Sequence, residues 1–354
     1  AFFSCVFFFM EVDIKYVSIY SNSHLITIRR NAMKKLVLTL TLLLAALFLS
    51  AQAAPESTDD TVMIGISQLM AHPALDNIEQ GIRDALESEG VNAVFDTQNA
   101  NGDVSTAASI AQLFRTEDCD IVVGIATPTA QALANVFDDR PVVFATVTDV
   151  EAAGLSGLSN VCGSSDAVPF EEHFALIERL TGAQSIGMVY TAGEANGLAS
   201  MEAMKAICEA VGVELVSASV SNSSEVRQAA QSIINRVDAV YVANDNTVIS
   251  AVSSLSDVCL ENSVPLFSAD TTSSFDSDVF IACGFNYYKS GLLTGQIVKR
   301  LLDGESPEEI GTVYLTDLEY YINLDVADEL GISVPEDIIE NAVYLMRDGV
   351  NTAQ

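Results

Sequence analysis

The most constraining feature of this chain is that one strand–helix unit occurs in it twice. In the first copy a short apolar run, residues 62–66, has the composition of a buried strand. Residues 74–89 follow, with Leu75, Ile78, Ile82 and Leu86 at helical spacing on one face. Gly90 stands where a helix end favours a left-handed residue. Strand patterns recur at 91–95, 120–125 and 141–145, with helical stretches at 105–114 and 129–136 between them. The second copy starts at Ser185. Its strands read at 186–190, 213–216, 238–242 and 265–267, and its helices at 198–211, 224–234 and 248–260, with Gly212 ending the first helix. Gly90 and Gly212, Asp120 and Asp238, and Pro141 and Pro265 are spaced by 122, 118 and 124 residues. A shared order at a nearly constant offset is not what two unrelated βα runs produce. Strand–helix alternation calls for a parallel sheet covered by helices on both faces. Two such lobes in tandem leave a cleft, where small ligands commonly bind.

The chain continues past the second copy with a strand pattern at 279–284, a helix at 290–302 closed by Asp303-Gly304, and extended runs at 313–315 and 321–324. This material fits neither copy, so it is expected to cross between the lobes and complete them. Three connections result, near 162–165, 269–273 and 314–320. The expected division is 60–163 plus about 271–313 for lobe 1, and 164–270 plus about 314–350 for lobe 2.

Met33-Lys34-Lys35, an apolar run over 36–50 and Ala51-Gln52-Ala53 read as a signal peptide at 33–53, cleaved near Ala53/Ala54. The run is short for a membrane span of about 20 residues. Residues 1–32 are read as upstream translation. Export to the periplasm implies an oxidising compartment. Cys119, Cys162, Cys208, Cys259 and Cys283 follow the signal at wide spacings with no C-x-x-C, so no metal or redox motif is expected. They read as small buried hydrophobes. Cys162 and Cys283 come within reach of pairing if the strand at 279–284 returns to lobe 1. The chain carries 48 Asp plus Glu against 16 Lys plus Arg, a net charge of -32, which argues against nucleic acid or an anionic membrane surface as partner.

Short sequence words narrow the architecture. They are Gly65-Ile66-Ser67-Gln68, His72-Pro73-Ala74-Leu75-Asp76, Ala126-Thr127-Pro128-Thr129-Ala130-Gln131, Val147-Thr148-Asp149, Gly193-Glu194-Ala195-Asn196, Asp245-Asn246-Thr247 and Gly284-Phe285-Asn286-Tyr287-Tyr288. In this order they make the chain resemble the type I periplasmic binding proteins, and among them the substrate-binding proteins of ABC importers that include tryptophan and tyrosine uptake systems. Two departures stand out: Asn286 where many relatives carry Asp, and Cys162 where Thr is usual. The resemblance implies two Rossmann-like lobes joined by a three-strand hinge. It also implies capture of an aromatic or large apolar amino acid by hinge closure, delivery to an ABC permease by a monomer, and no cofactor. The same cleft would serve a ligand-sensing partner of a membrane receptor. The enzyme reading is weaker. The chain has no G-x-S-x-G elbow, no P-loop and no G-x-G-x-x-G after a strand, so no catalytic residue is assigned.

Ligands of parallel α/β lobes meet the loops after the carboxyl ends of strands. Those loops hold Ser67 and Gln68, then Thr127, Pro128 and Thr129, in the first copy. In the second they hold Glu194 and Asn196, then Asp245, Asn246 and Thr247. Thr148 and Asp270 sit near expected lobe connections. Thr127 and Thr129 open a helix, whose N–H groups suit a carboxylate, and Asp245 suits an ammonium. Opposite jobs on opposing lobes fit a zwitterion. Each of these residues is equally suited to helix capping. His72 either packs beside Pro73 or touches ligand, and Phe285, Tyr287 and Tyr288 are either core or an aromatic wall.

Overall fold

The computed structural model describes residues 61–353, so the expected signal segment lies outside the described residues. Its strands are β1 (Val62–Gln68), β2 (Ala93–Asn99), β3 (Ile121–Ile125), β4 (Val142–Ala145), β5 (Val161–Ser165), β6 (Ser185–Thr191), β7 (Glu214–Val220), β8 (Ala239–Val242), β9 (Leu266–Ser268), β10 (Ile281–Phe285), β11 (Thr312–Tyr314), β12 (Leu318–Asn323), β13 (Tyr344–Arg347) and β14 (Val350–Ala353). They form two sheets, ordered β11-β5-β4-β3-β1-β2 and β14-β13-β12-β10-β9-β8-β6-β7. The duplication is visible in the topology, because β4-β3-β1-β2 and β9-β8-β6-β7 repeat one strand order in parallel. Strands such as β3 and β4 are apolar along their whole length because helices cover both faces.

The paired landmarks do the same work in both copies. The Asp120 carboxylate accepts the Met63 N–H at 2.8 Å, and the Asp238 carboxylate accepts the Ser185 N–H at 2.9 Å. Each acid thus ties the start of its lobe's third strand to the start of the first. Gly90 and Gly212 take φ of 69° and 82° just past their helices, the left-handed turn that glycine makes without strain.

The third segment departs from expectation. β10 pairs parallel with β9 and antiparallel with β12, so residues 281–285 belong to the second sheet. The chain crosses at Asn286 rather than at 269–273, and the first lobe's return begins there instead of near 271. The reason is local: β9 leaves an open edge, and the turn-rich segment 269–280 brings the chain back beside it. Cys162 and Cys283 therefore lie in different sheets, and no bridge joins them. The five cysteines among the described residues are free and buried. The other crossings run from β5 into helix Phe170–Thr181 and from β11 into β12.

After Asn286, helix Tyr287–Leu302 packs on helix Pro73–Ser88 of the first lobe. Glycines allow the approach. A Cβ on Gly291 would press into the Ile78 carbonyl and stand 2.9 Å from Gly81 Cα, and one on Gly295 would lie 2.5 Å from Ala85 Cβ. Gly291→Val is therefore expected to lower stability by about 1–3 kcal/mol through overpacking. A thermal unfolding midpoint equal to the parent's would show that the helices tolerate a wider separation. Asn286 caps this helix by accepting the Lys289 N–H at 3.0 Å and donates to both oxygens of Glu319 at 3.2 Å. An Asp here would set a second carboxylate against Glu319, which gives the departure from the usual Asp a local reason.

Candidate functional site

The cleft between the sheets, counted together with the space at its mouth, amounts to about 350 Å³ and is only in places wide enough for a water molecule. It is lined by the ends of both copies. Thr127, Thr146 and Thr148 come from loops after β3 and β4, His72, Ala74 and Leu75 from the start of helix Pro73–Ser88, and Asn196, Asn244, Asp245, Asn246 and Ile249 from the second copy. Asp166, Asp270 and Tyr287 complete it from or beside the connecting segments.

Backbone geometry aims the first lobe's contribution. Ala126 holds φ 79° and ψ 160° directly before helix Thr127–Ala134. Only glycine adopts that region freely, so the turn stores about 1–3 kcal/mol of strain. It turns the first turn of the helix, whose N–H groups have no intrahelical partner, toward the cleft at Thr127. Thr146 at the end of β4 is also left-handed, with φ 55°.

The remaining lining is acidic. Asp166, Asp245 and Asp270 are all nearly inaccessible to solvent, and no Lys or Arg is among the lining residues. Asp166 accepts hydrogen bonds from the Thr148 hydroxyl at 3.0 Å, the Asn244 amide at 2.8 Å and the Tyr287 hydroxyl at 3.4 Å. Burial pushes its carboxyl up to about 6, against the pull of those donors. Asp245 accepts from the Thr191 N–H at 2.6 Å, the Thr191 hydroxyl at 2.7 Å and the Val248 N–H at 3.1 Å. Burial and then the Glu194 charge drive its carboxyl upward. Asp270 accepts from the N–H groups of Thr272 and Ser273 at 2.8 and 3.2 Å and from the Ser273 hydroxyl at 2.9 Å. Two further acceptors, the side-chain oxygens of Asn196 and Asn244, are buried without a donor.

Of the residues picked out in the sequence, Thr127, Thr148, Asn196, Asp245, Asn246 and Asp270 come together in this lining. Six do not, and all but Ser67, whose buried hydroxyl is unpaired, have a structural occupation. Ser67 is buried at the end of β1. Gln68 donates to the Met70 carbonyl at 2.8 Å and to Asp76 at 2.7 Å. Pro128 supplies the pre-formed first turn of its helix. The Thr129 hydroxyl donates back to the Ile125 and Ala126 carbonyls at 2.7 and 2.9 Å. Glu194 accepts from the Thr247 N–H and hydroxyl at 3.0 and 2.6 Å and from Asn246 at 2.7 Å, so Glu194 and Thr247 shape the loop behind the cleft. The aromatic cluster divides. Tyr287 lines the cleft, Phe285 is core, and Tyr288 donates to Asp84 at 2.8 Å on the surface. Asp166, Asn244, Thr146, Leu75 and Ile249 were not picked out. Asp166 stands one residue beyond an expected crossing and Asn244 one before an expected site residue, and position relative to strand ends was the only signal available for either.

Comparison with known proteins places this geometry. The model of the family described as ABC transporter substrate binding protein matches residues 63–345. The tyrosine-binding protein of Clostridioides difficile is 35% identical over 277 residues, covering 75% of this chain and 80% of that protein. A Streptococcus pneumonia ABC domain solved in complex with L-Trp superposes with a TM-score of 0.77 at 30% identity, covering 81% of this chain and all of that one. The ligand-free, open structure of a substrate binding protein with adhesive properties from Clostridium difficile gives 0.61 at 33% identity, covering 79% and 98%.

Proposed function

The chain belongs to the ABC transporter substrate binding protein family, and from that premise we propose that it captures an L-amino acid with an aromatic or large apolar side chain. It is a substrate-binding protein of an ABC transporter, of an extracytoplasmic family that is not a family of enzymes. The observation that carries the ligand class is the composition of one cleft: a helix N-terminus at Thr127, facing buried acceptors that have no cation. A zwitterion supplies both missing charges. Its carboxylate lies at the first turn of helix Thr127–Ala134, with the N–H groups and the Thr127 hydroxyl as donors. Thr129 contributes backbone alone, because its hydroxyl is spent on the Ile125 and Ala126 carbonyls just before its helix. The ammonium lies against Asp166 and the Asn244 side-chain oxygen. Asp245, the partner expected from sequence position, spends its oxygens on Thr191 at the end of β6 and on the Val248 N–H, and Asp270 spends its own on Thr272 and Ser273 of its loop. Asp166 is held mainly by side chains, and these can turn toward a ligand. Leu75, Ile249 and Tyr287 supply the apolar wall.

The tyrosine-binding name of one relative and the L-Trp bound to another support this class. The TM-score is higher against the L-Trp complex than against the open, ligand-free relative at similar identity, which supports a nearly closed arrangement here. In this reading ligand shifts the population toward closure and the permease engages the closed form. The protein acts as a monomer in the periplasm after cleavage near Ala54. A thermal-shift screen of the amino acids tests the ligand class. A ligand at about 100 times its dissociation constant adds about 2.7 kcal/mol of stability, and aromatic amino acids should give the largest shifts. Shifts confined to neutral or anionic solutes would overturn the zwitterion assignment.

A further inference from the structure

We propose that His72 hydrogen-bonds a polar atom on the ligand's aromatic side chain, so that the cleft selects rings bearing a hydroxyl or an N–H over a bare ring. This rests on the amino-acid reading above. His72 occupies the N-cap position of helix Pro73–Ser88, and its carbonyl accepts the Asp76 N–H, but its side chain accepts no hydrogen bond from the helix, and Pro73 removes the nearest helical N–H. Capping is therefore not its work. The ring lines the cleft at only 9% exposure, and neither Nδ1 nor Nε2 has a hydrogen-bond partner. Buried polar atoms in native proteins are nearly always paired, so two orphaned nitrogens on a ring that lines the cleft mark an unfilled contact.

The surroundings define what fills it. Asp270, Asp76 on the same helix and Glu194 all exert their charge on the ring without bonding to it, and the Asn246 side chain approaches it closely enough to favour its charged form without completing a hydrogen bond. Burial is the larger influence and lowers the imidazole's pKa, keeping the ring neutral. A neutral imidazole offers one N–H donor and one nitrogen acceptor. A phenol hydroxyl can satisfy either, an indole N–H satisfies the acceptor, and a phenyl ring satisfies neither. Ala74, Leu75 and Ile249 line the same cleft and suit the apolar body of such a ring. A site built to pair a ligand's polar atom penalises the analogue that lacks it, because its own polar group stays buried and unpaired.

The experiment is calorimetry of L-tyrosine, L-tryptophan and L-phenylalanine on the parent, His72→Leu and His72→Gln, with circular dichroism to establish that each is folded. The parent should bind tyrosine or tryptophan about 10- to 100-fold tighter than phenylalanine. His72→Leu should level that ratio while keeping phenylalanine affinity, and His72→Gln, which retains a donor and an acceptor, should restore part of it. Equal binding of all three by the parent would overturn the inference alone. So would a ratio that survives in His72→Leu, or an equal loss for all three ligands in that variant, which would move His72 to the zwitterion end. If none of the three binds the parent, the amino-acid reading falls and this inference with it.

Discussion

Asp166→Asn is expected to weaken amino-acid binding by about 30-fold to several thousand-fold, the equivalent of about 2–5 kcal/mol for a desolvated ammonium that loses its charged partner. The fold should survive. The side-chain donors to Asp166 are Thr148 on one oxygen and Asn244 and Tyr287 on the other, so an amide of the same shape can accept from Asn244 and Tyr287 through its oxygen while its NH2 donates to the Thr148 hydroxyl. Burial without a cation raises the carboxyl to about 6, so removing its charge relieves the ligand-free protein. The sign of the pH dependence follows. The folded pKa lies above the ordinary value of 3.8, so for this group the ligand-free fold is most stable below about 4 and loses that contribution as pH rises through about 6. A bound ammonium favours the ionised form and pulls the pKa back down. Affinity should therefore be full above pH 6 and fall by about tenfold per unit below it, where ligand must displace a proton. Calorimetry at pH 5 and pH 8 reads this directly. The slope should vanish in Asp166→Asn, and a slope that persists there would assign it to another group, with His72 the first to examine.

Asp166 also shows where sequence reasoning reaches its limit. The duplicated unit was legible because a parallel strand buried on both faces must be apolar, and because Gly90 and Gly212, and Asp120 and Asp238, do identical local jobs. Strand partners are a different matter. The run at 281–285 has the same apolar character whichever sheet it joins, so its membership of the second sheet and the absence of a Cys162–Cys283 bridge are decided by tertiary pairing. Within the site, loops after strands were the right places, but which side chains turn inward was not readable. Thr127 faces the cleft, while Thr129 two residues later turns its hydroxyl back onto the Ile125 and Ala126 carbonyls. β5 reads Val-Cys-Gly-Ser-Ser and carries no strong strand signal, so Asp166 just beyond it had no frame to stand in.

The second large effect concerns stability. Asp245→Ala is expected to cost the ligand-free protein about 2–4 kcal/mol, the net of three orphaned donors and a lost helix cap against relief of a buried acid. Its sequence position suits a carboxylate that meets a ligand ammonium or one that caps a helix. The structure buries it completely, with the Thr191 N–H and hydroxyl and the Val248 N–H all donating to it. Those bonds tie the end of β6 to the loop after β8 and set the direction in which Asn244 and Asn246 enter the cleft. Gly197 supplies an independent test, since a Cβ there would press into the Asp245 carboxylate and stand 2.9 Å from the Thr191 carbonyl. Gly197→Ala should destabilise in the same direction with the acid still present. Urea unfolding of both variants without ligand measures the cost, and calorimetry on the folded protein measures what remains of binding. If Asp245 is the strut that this geometry describes, both variants lose stability more than intrinsic affinity, the reverse of Asp166→Asn. Unchanged stability with abolished binding in Asp245→Ala would instead return the ammonium to Asp245, because a strut cannot be removed without the loop registering its loss.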